Sequence, residues 1–192
     1  MKTIKNKSEQ SKINELVRSA QDRSAPAIAE LYDYFYGKIY RYVYFKIGNV
    51  PDAEDLTEDV FVKMMESISS YQLLDVPFSS WLFRIAHNRI VDHFRKTSRK
   101  QTTSLDNIHN NIDDSSEDIE SKIDVDISIK KVYSAMERLT NLQQEVLSLR
   151  FAAGLSIKET SLAIGRNENA VKAAQHAAIA NLRKILAQET IT

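Results

Sequence analysis

Helix-breaking residues are almost absent from this chain, which contains four glycines and three prolines in 192 residues. Between them, apolar side chains recur at the spacing of a helix, as in Leu31, Phe35 and Ile39. An all-β protein depends on many short strands joined by turns that are rich in glycine and proline. The sequence therefore predicts an all-α fold with almost no sheet.

Composition excludes several classes of protein. The chain has no cysteine, which rules out disulfides, thiolate nucleophiles and cysteine-ligated metals. No apolar segment follows the basic start, and no stretch approaches the ~18 apolar residues of a membrane helix. Apolar residues make up 43% of the chain, enough to form packed cores. We expect a cytoplasmic protein with no membrane insertion.

Charge is distributed unevenly, although the formal net charge is zero. Residues 1–100 carry 16 basic and 13 acidic side chains, residues 101–127 carry 1 and 8, and residues 128–192 carry 9 and 5. Two basic bodies joined by an acidic tether rich in Asp, Ser and Asn indicate two domains and a flexible linker. We predict a first domain over 1–96, an acidic linker over 97–127 and a second domain over 128–192.

The first domain contains two recognisable helix starts. The apolar periodicity breaks just before Pro51, and Pro51 or Asp52 is suited to open the next helix. A later helix is predicted to begin with Ser79 or Ser80 as its cap and to run to about Lys96, where it ends in a basic cluster. Three aromatic residues of that helix are predicted to pack in the core: Trp81, Phe83 and Phe94.

The second domain contains the pattern of a helix-turn-helix. A helix over 155–164, a turn at 165–167 that contains Gly165, and a helix over 168–186 have the required separation. The residues predicted to be buried are Ile157, Thr160, Ala163, Ile164, Ala170, Val171 and Leu182. In such a unit the second helix enters the major groove of DNA. An ordinary helical hairpin shares this local pattern, so the motif alone leaves both interpretations open.

Three stretches, taken together and in this order, resemble a known family. They are DAEDLTEDVF (residues 52–61), FSSWLFRIAHN (residues 78–88) and residues 142–186, and the acidic linker separates the second from the third. The chain is similar, over 28–96 and 129–186, to the extracytoplasmic-function (ECF) class of the bacterial sigma-70 family of RNA polymerase sigma factors. The resemblance implies that the protein binds core RNA polymerase and promoter DNA and directs transcription initiation. It also implies an anti-sigma factor as a partner.

The resemblance assigns roles to particular residues of the first domain. The helix that contains residues 52–61 would bind the polymerase through Glu54, Asp55, Leu56, Glu58, Asp59 and Phe61. The helix that follows would recognise and open the −10 element through Arg84, Asn88, Arg89, Arg95 and Lys96. By position Asn88 would line the pocket for a flipped base, and the loop over residues 71–77 would shape that pocket.

The second domain would read the −35 element, again by resemblance. The residues carried over are Arg150, Lys158, Asn167, Asn169, Lys172, Ala173 and His176. Members of the family often have arginine where this chain has Ala174, Ala177 and Ile179, which indicates a weaker contact here. The acidic linker would pass through polymerase channels that normally hold nucleic acid; by composition alone it could equally be a solubilising tether.

No pattern in the chain indicates an enzyme. The four histidines show no metal-ligand spacing with carboxylates, and there is no glycine-rich phosphate loop. We therefore expect neither a metal nor a cofactor. The alternative function is a free-standing helix-turn-helix regulator that binds operator DNA without polymerase, and a third class is a purely protein-binding adaptor.

Overall fold

The computed structural model describes residues 2–73, 76–101 and 134–189, with side chains over 9–73, 76–97 and 134–188. The helices of the first domain are α1 (Lys2–Gln21), α2 (Ala25–Ile47), α3 (Val50–Ser67) and α4 (Phe78–Gln101), with a short 3₁₀ turn at Ile68–Ser70. Those of the second are α5 (Asn141–Leu147), which continues as a π turn (Ser148–Ala152), α6 (Ile157–Ile164) and α7 (Glu168–Glu189). All regular structure in these ranges is helical, as predicted.

The break between α2 and α3 occurs where the sequence predicts it, but the capping residue differs. Gly48 ends α2 in the left-handed conformation, with φ of 81°. The side chain of Asn49 then caps α3, because its Oδ1 accepts a hydrogen bond from the backbone N–H of Asp52 at 3.0 Å. Asp52 and Pro51 therefore lie in the first turn of the helix and do not open it.

The start and end of α4 also differ from the prediction. The helix begins at Phe78, and neither of the serines proposed as its cap acts as one: Ser79 bonds to Glu159, and the Ser80 hydroxyl is buried without a partner among the described residues. The helix continues to Gln101. Residues 97–101, which the sequence assigns to the linker, are therefore helical, and residues 102–133 lie outside the described part of the chain.

Helices α1 to α4 enclose an apolar core. Its largest fully buried side chains include Phe35, Tyr42 and Phe83. Of the three aromatics predicted to pack on α4, Phe83 is buried and Trp81 is half-buried, whereas Phe94 is 45% exposed. The prediction for Phe94 is wrong because α4 leaves the core after Ile90, and residues 94–97 all face solvent.

The helix-turn-helix is present with slightly different bounds from those predicted. Ser156 and Glu159 form a capping box at the start of α6, and Gly165 ends that helix with φ of 64°. Among the predicted buried residues, Thr160, Ala163 and Val171 are buried, while Ile157, Ile164, Ala170 and Leu182 are half-buried. Part of the alanine-rich face of α7 also packs inward, because Ala174 and Ala178 are buried.

The two domains pack against each other, which the sequence did not predict. Helix α6 lies along α4, and the π turn contacts α2. The buried residues Leu149, Ala153, Leu155 and Ala163 belong to the same apolar cluster as the core of the first domain. We call this contact region the seam.

Candidate polymerase and nucleic-acid interfaces

The acidic face of α3 is open to solvent. The four carboxylate residues predicted to bind polymerase, Glu54, Asp55, Glu58 and Asp59, are all exposed. The two apolar residues predicted beside them are not on this surface, because Leu56 and Phe61 are buried in the core. They pack in the core on the opposite side of α3 and hold the helix in place. The large apolar side chains that α3 does expose include Val62 and Met65.

A row of tyrosines on α2 lies beside α3 and was not singled out from the sequence. Tyr32, Tyr36, Tyr40 and Tyr44 are four residues apart, and neighbouring rings have centroids 5.1 to 6.2 Å apart. Phe61 of α3 packs against the first of them, with 4.6 Å between centroids. Burial raises the pKa of Tyr40, and the nearby Glu54 raises it further. The four-residue period of tyrosine was the signal for this row.

Helix α4 carries the residues predicted to contact the −10 element. Asn88, Arg95 and Lys96 are exposed, and Arg89 is half-buried. Arg84 is also exposed, but its guanidinium donates a hydrogen bond to the backbone carbonyl of Leu162 on α6 at 2.5 Å. The predicted set is therefore divided, because one member already bonds to the second domain.

The loop before α4 is held by aromatic packing. Tyr71 contacts Phe78 and Trp81, with ring centroids 5.5 and 5.0 Å away. Its hydroxyl donates to the carbonyl of Val76 at 2.6 Å, and burial raises its pKa to about 12. Leu74 and Asp75, at the tip of the proposed base pocket, lie outside the described residues.

The reading face of the helix-turn-helix is exposed. It comprises Asn167, Asn169, Lys172, Ala173 and His176 at the start of α7, with Lys158 exposed on α6. The Oδ1 of Asn167 accepts from the backbone N–H of Ala170 at 2.7 Å, so that oxygen is used as a helix cap. Arg150 differs from the rest of the predicted set. It is half-buried and donates to Gln175 at 2.9 Å and to the carbonyl of Leu155.

A buried carboxylate lies at the seam. Glu145 of α5 is 8% exposed and contacts three side chains of the first domain. The Tyr42 hydroxyl donates to it, His87 Nδ1 is 2.9 Å from Oε1, and Lys46 Nζ is 3.2 Å from Oε2. Burial opposes ionisation, but the His87 hydrogen bond and the Lys46 charge outweigh it, so the pKa of Glu145 is lowered. The signal in the sequence was slight: Glu145 directly precedes the apolar pair Val146 and Leu147.

Comparison with known proteins identifies the two domains. Residues 31–100 match Sigma-70 region 2, and residues 129–182 match Sigma-70 region 4. The ECF RNA polymerase sigma factor BldN of Streptomyces coelicolor is 34% identical over 181 residues, which covers 93% of this chain and 67% of BldN. The chain belongs to the ECF class of sigma factors. The sigma factor SigX of Bacillus subtilis is 27% identical, over 80% of each chain.

Two solved structures share the fold of this sigma factor. CnrH, solved with the cytosolic domain of CnrY, has a TM-score of 0.67 and 22% identity, covering 90% of this chain and 96% of CnrH. RpoE, solved with the anti-sigma factor NepR from Bartonella quintana, has a TM-score of 0.70 and 19% identity, covering 82% and 95%. At this level of identity, the comparison establishes the helical architecture.

Family membership establishes the general function. The protein is a sigma factor, which binds core RNA polymerase and directs promoter-specific initiation of transcription. Sigma factors are non-enzymatic initiation factors. The assignment favours a polymerase-dependent role over that of a free-standing regulator. No helix in the described ranges is both long and apolar enough to cross a membrane.

Proposed function

We propose that three separate helix faces divide the work of this sigma factor. The first domain, 1–96, binds polymerase through α3 and opens the −10 element with α4, and the second domain, 128–192, reads the −35 element with α7. The observation that carries this proposal is the exposure of charged or polar residues on each of the three faces, although each helix also buries an apolar side. Side chains that are solvated in the free protein are available to partners.

The polymerase-binding face combines charge with aromatic surface. Glu54, Asp55, Glu58 and Asp59 form an acidic rim, and the tyrosine row lies beside them. Polar rims around aromatic contacts are typical of protein interfaces. Complementary charge steers the encounter with a basic partner surface. Leu56 and Phe61 contribute by holding the helix in place.

The −10 contact requires a base to leave the DNA stack. Base flipping costs a few kcal/mol, which stacking and hydrogen bonds must offset. In our proposal Asn88 contacts the flipped base at its polar edge, and Arg95 and Lys96 contact backbone phosphates. Arg84 takes part once its bond to Leu162 has broken.

The −35 contact is expected to be weak. Asn169 and His176 are the polar readers with free side chains, while Lys158 and Lys172 reach phosphates. Ala173 and Ala177 are exposed but offer no hydrogen bond. Arg150 positions the turn before α6 through its bonds to Leu155 and Gln175 and does not itself reach DNA. Specificity then depends on both domains being held on polymerase.

The remaining partners follow from the relatives. RpoE was solved with an anti-sigma factor, and we propose such a partner for this protein. The acidic linker is proposed to pass through basic channels of the polymerase. All of these roles concern binding, and no catalytic step is assigned to the chain.

Charge reversal on α3 tests the proposal. The double variant Glu54→Lys and Asp55→Lys should lose binding to core polymerase, measured by native gel shift, and lose promoter-specific transcripts. Glu15→Lys, an exposed site on α1, is the matched control and should behave as wild type. Normal polymerase binding by the α3 variant, with the control also normal, would overturn the assignment of this face.

A further inference from the structure

Helix α1 ends in a fixed geometry beside the loop that precedes α4. The backbone N–H of Arg23 donates to the carbonyl of Ala20 at 3.0 Å. The next backbone N–H, that of Ser24, donates to the carbonyl of Ser19 at 3.0 Å. Arg23 is left-handed, with φ of 62°, and these two bonds around it form a Schellman motif, which closes the last turn of a helix. The last helical residue, Gln21, therefore has a defined position.

Gln21 uses its side-chain amide on two backbone carbonyls that are distant in sequence. Its Nε2 donates to the carbonyl of Ile68 at 2.9 Å and to that of Tyr71 at 2.7 Å. Both of these residues are buried. The backbone N–H of Tyr71 also donates to the Ile68 carbonyl, at 3.1 Å. Three hydrogen bonds therefore fix the chain at the point where the loop over residues 71–77 begins.

The far end of the same loop is fixed through the side chain of Tyr71. Its hydroxyl donates to the carbonyl of Val76 at 2.6 Å, two residues before the start of α4. Its ring packs against those of Phe78 and Trp81. Gln21 thus holds the backbone of the residue whose side chain holds the other end of the loop. These bonds connect α1 to the start of α4.

The loop over residues 71–77 is the segment proposed to shape the pocket for a flipped base. Taking a base out of the DNA stack costs free energy, which contacts in the pocket must offset. A site achieves this when its atoms are held within about 0.5 Å of the productive geometry. A loop that becomes ordered only during capture loses conformational entropy, which weakens its hold on the base. Hydrogen bonds that fix the loop beforehand avoid this loss.

We propose that Gln21 is a positioning residue for promoter opening, which fixes the loop over residues 71–77 so that it can receive a base of the −10 element. This inference rests on the proposed function of that loop. Gln21 acts through backbone carbonyls and does not itself touch DNA. Helix α1 carries none of the residues assigned to DNA or to polymerase. Removal of the Gln21 amide should therefore impair base capture and leave polymerase binding unchanged.

Gln21→Leu tests this role, because leucine occupies a similar space but donates no hydrogen bond. Gln10→Leu is the matched control, since Gln10 is also half-buried on α1 but bonds to Asn14 of the same helix at 3.0 Å. Opening is measured with the holoenzyme, by permanganate reaction of unpaired thymines, on a promoter identified by mapping transcript ends. We expect Gln21→Leu to reduce opening about tenfold through the loss of two hydrogen bonds. Gln10→Leu should open the promoter as wild type does.

Abasic promoters separate a role in base capture from a general loss of stability. Each base of the −10 element on the non-template strand is removed in turn, and opening by wild type and by Gln21→Leu is compared. Where the removed base is the captured one, wild type should lose opening and the difference between the two proteins should disappear. On the other abasic promoters the tenfold difference should persist.

The outcomes distinguish this inference from the proposed function on which it rests. A defect of Gln21→Leu that is the same on every abasic promoter would overturn the inference, because the residue would then contribute to stability alone. Opening equal to that of wild type on the intact promoter would also overturn it. If no abasic position reduces opening by wild type, the loop captures no base, and the proposed function of the loop fails as well.

Two further variants keep the inference testable if calorimetry shows that Gln21→Leu does not fold. Gln21→Ala removes the same amide and places the most favourable helix-forming residue at that site. Tyr71→Phe removes the hydroxyl that bonds to Val76 and keeps the ring between Phe78 and Trp81. Both should reduce opening, Tyr71→Phe by about threefold, and both defects should disappear on the promoter that lacks the captured base. Defects that persist there would contradict the positioning role.

Discussion

Glu145 and His87 lie 2.9 Å apart although they belong to different domains, and this contact joins the helix-turn-helix domain to the helix proposed to open DNA. Lys46 completes the ion pair at 3.2 Å from the other carboxylate oxygen. Glu145 therefore links α5 of the second domain to both α2 and α4 of the first.

Removing the charge of Glu145 should destabilise the packed form. Glu145→Gln keeps the shape of the side chain but leaves Lys46 without its buried counter-ion. Hydrogen bonds to charged groups contribute about 1.5–3 kcal/mol, so we expect a lower melting temperature by calorimetry. Glu137→Gln, at an exposed site before α5, should melt as wild type does. Equal melting of both variants would contradict a stabilising role for the Glu145 carboxylate at the seam.

Acid should open the seam. The pKa of Glu145 is lowered from the ordinary value of 4.5, so the packed form binds this proton more weakly than the separated form. The stabilisation that the ionised Glu145 gives to the packed form is fully present above about pH 4.5. It is lost as the pH falls through the lowered pKa of Glu145. The melting temperature, measured by calorimetry at several pH values, should fall as the pH falls through this range. Because Glu159 also has a lowered pKa, the Glu145 contribution is the part of the pH dependence that Glu145→Gln removes.

The turn of the helix-turn-helix should depend on glycine. Gly165 has φ of +64°, and an added Cβ would meet no atom within 4 Å. Gly165→Ala should therefore destabilise the domain by about 1–2 kcal/mol through backbone strain alone. Gly37→Ala within α2 is the control and should be stabilising by roughly 0.5–1 kcal/mol, because that glycine is in a helix. Denaturant unfolding should show opposite signs for the two variants.

Alanine substitutions of Arg150 and Lys172 should affect different properties of the protein. Arg150 bonds within its domain, so Arg150→Ala should lower thermal stability without changing the salt dependence of DNA binding. Lys172 is exposed on α7, and Lys172→Ala should reduce the slope of log affinity against log salt by about 0.9. Titration of a −35 duplex at several salt concentrations, with the isolated holoenzyme, distinguishes them. A reduced slope for Arg150→Ala would place that side chain on DNA.

Substitution by arginine should strengthen the −35 contact at Ala177 but not at Ala174. Ala177 is exposed, so Ala177→Arg adds a cation that can reach a phosphate. Ala174 is buried and packs with Val146 and Val171. Ala174→Arg should therefore unfold part of the domain. Ala187→Arg, at an exposed site about three turns further along α7, controls for charge alone.

The helix-turn-helix and the acidic face of α3 could be predicted from the sequence because they depend on local features. Apolar spacing determines which side of a helix is buried, and the left-handed glycines at positions 48 and 165 mark helix ends. Even here one cap differs from the prediction. Asn49 caps the helix that Pro51 or Asp52 was predicted to open, because its side chain accepts from the backbone N–H of Asp52, three residues later.

Contacts distant in sequence could not be predicted in the same way. Arg150 and Arg84 have the charge expected of DNA-binding residues, but only the packed structure shows that both bond to backbone carbonyls. Phe94 has the spacing of a core residue, yet α4 has left the core at that point. The spacing of apolar residues describes one helix. It does not show how far the helices packed against it extend.

The sequence by itself determined the all-helical fold, the helix-turn-helix and the family of this protein, since each depends on neighbouring residues in the chain. Tertiary structure alone decided that the two domains share one core and that Glu145 lies against Tyr42, Lys46 and His87. The reason is physical: a carboxylate on a helix has the same local pattern whether it is solvated or buried. Only the approach of a second surface removes its water and selects its partners.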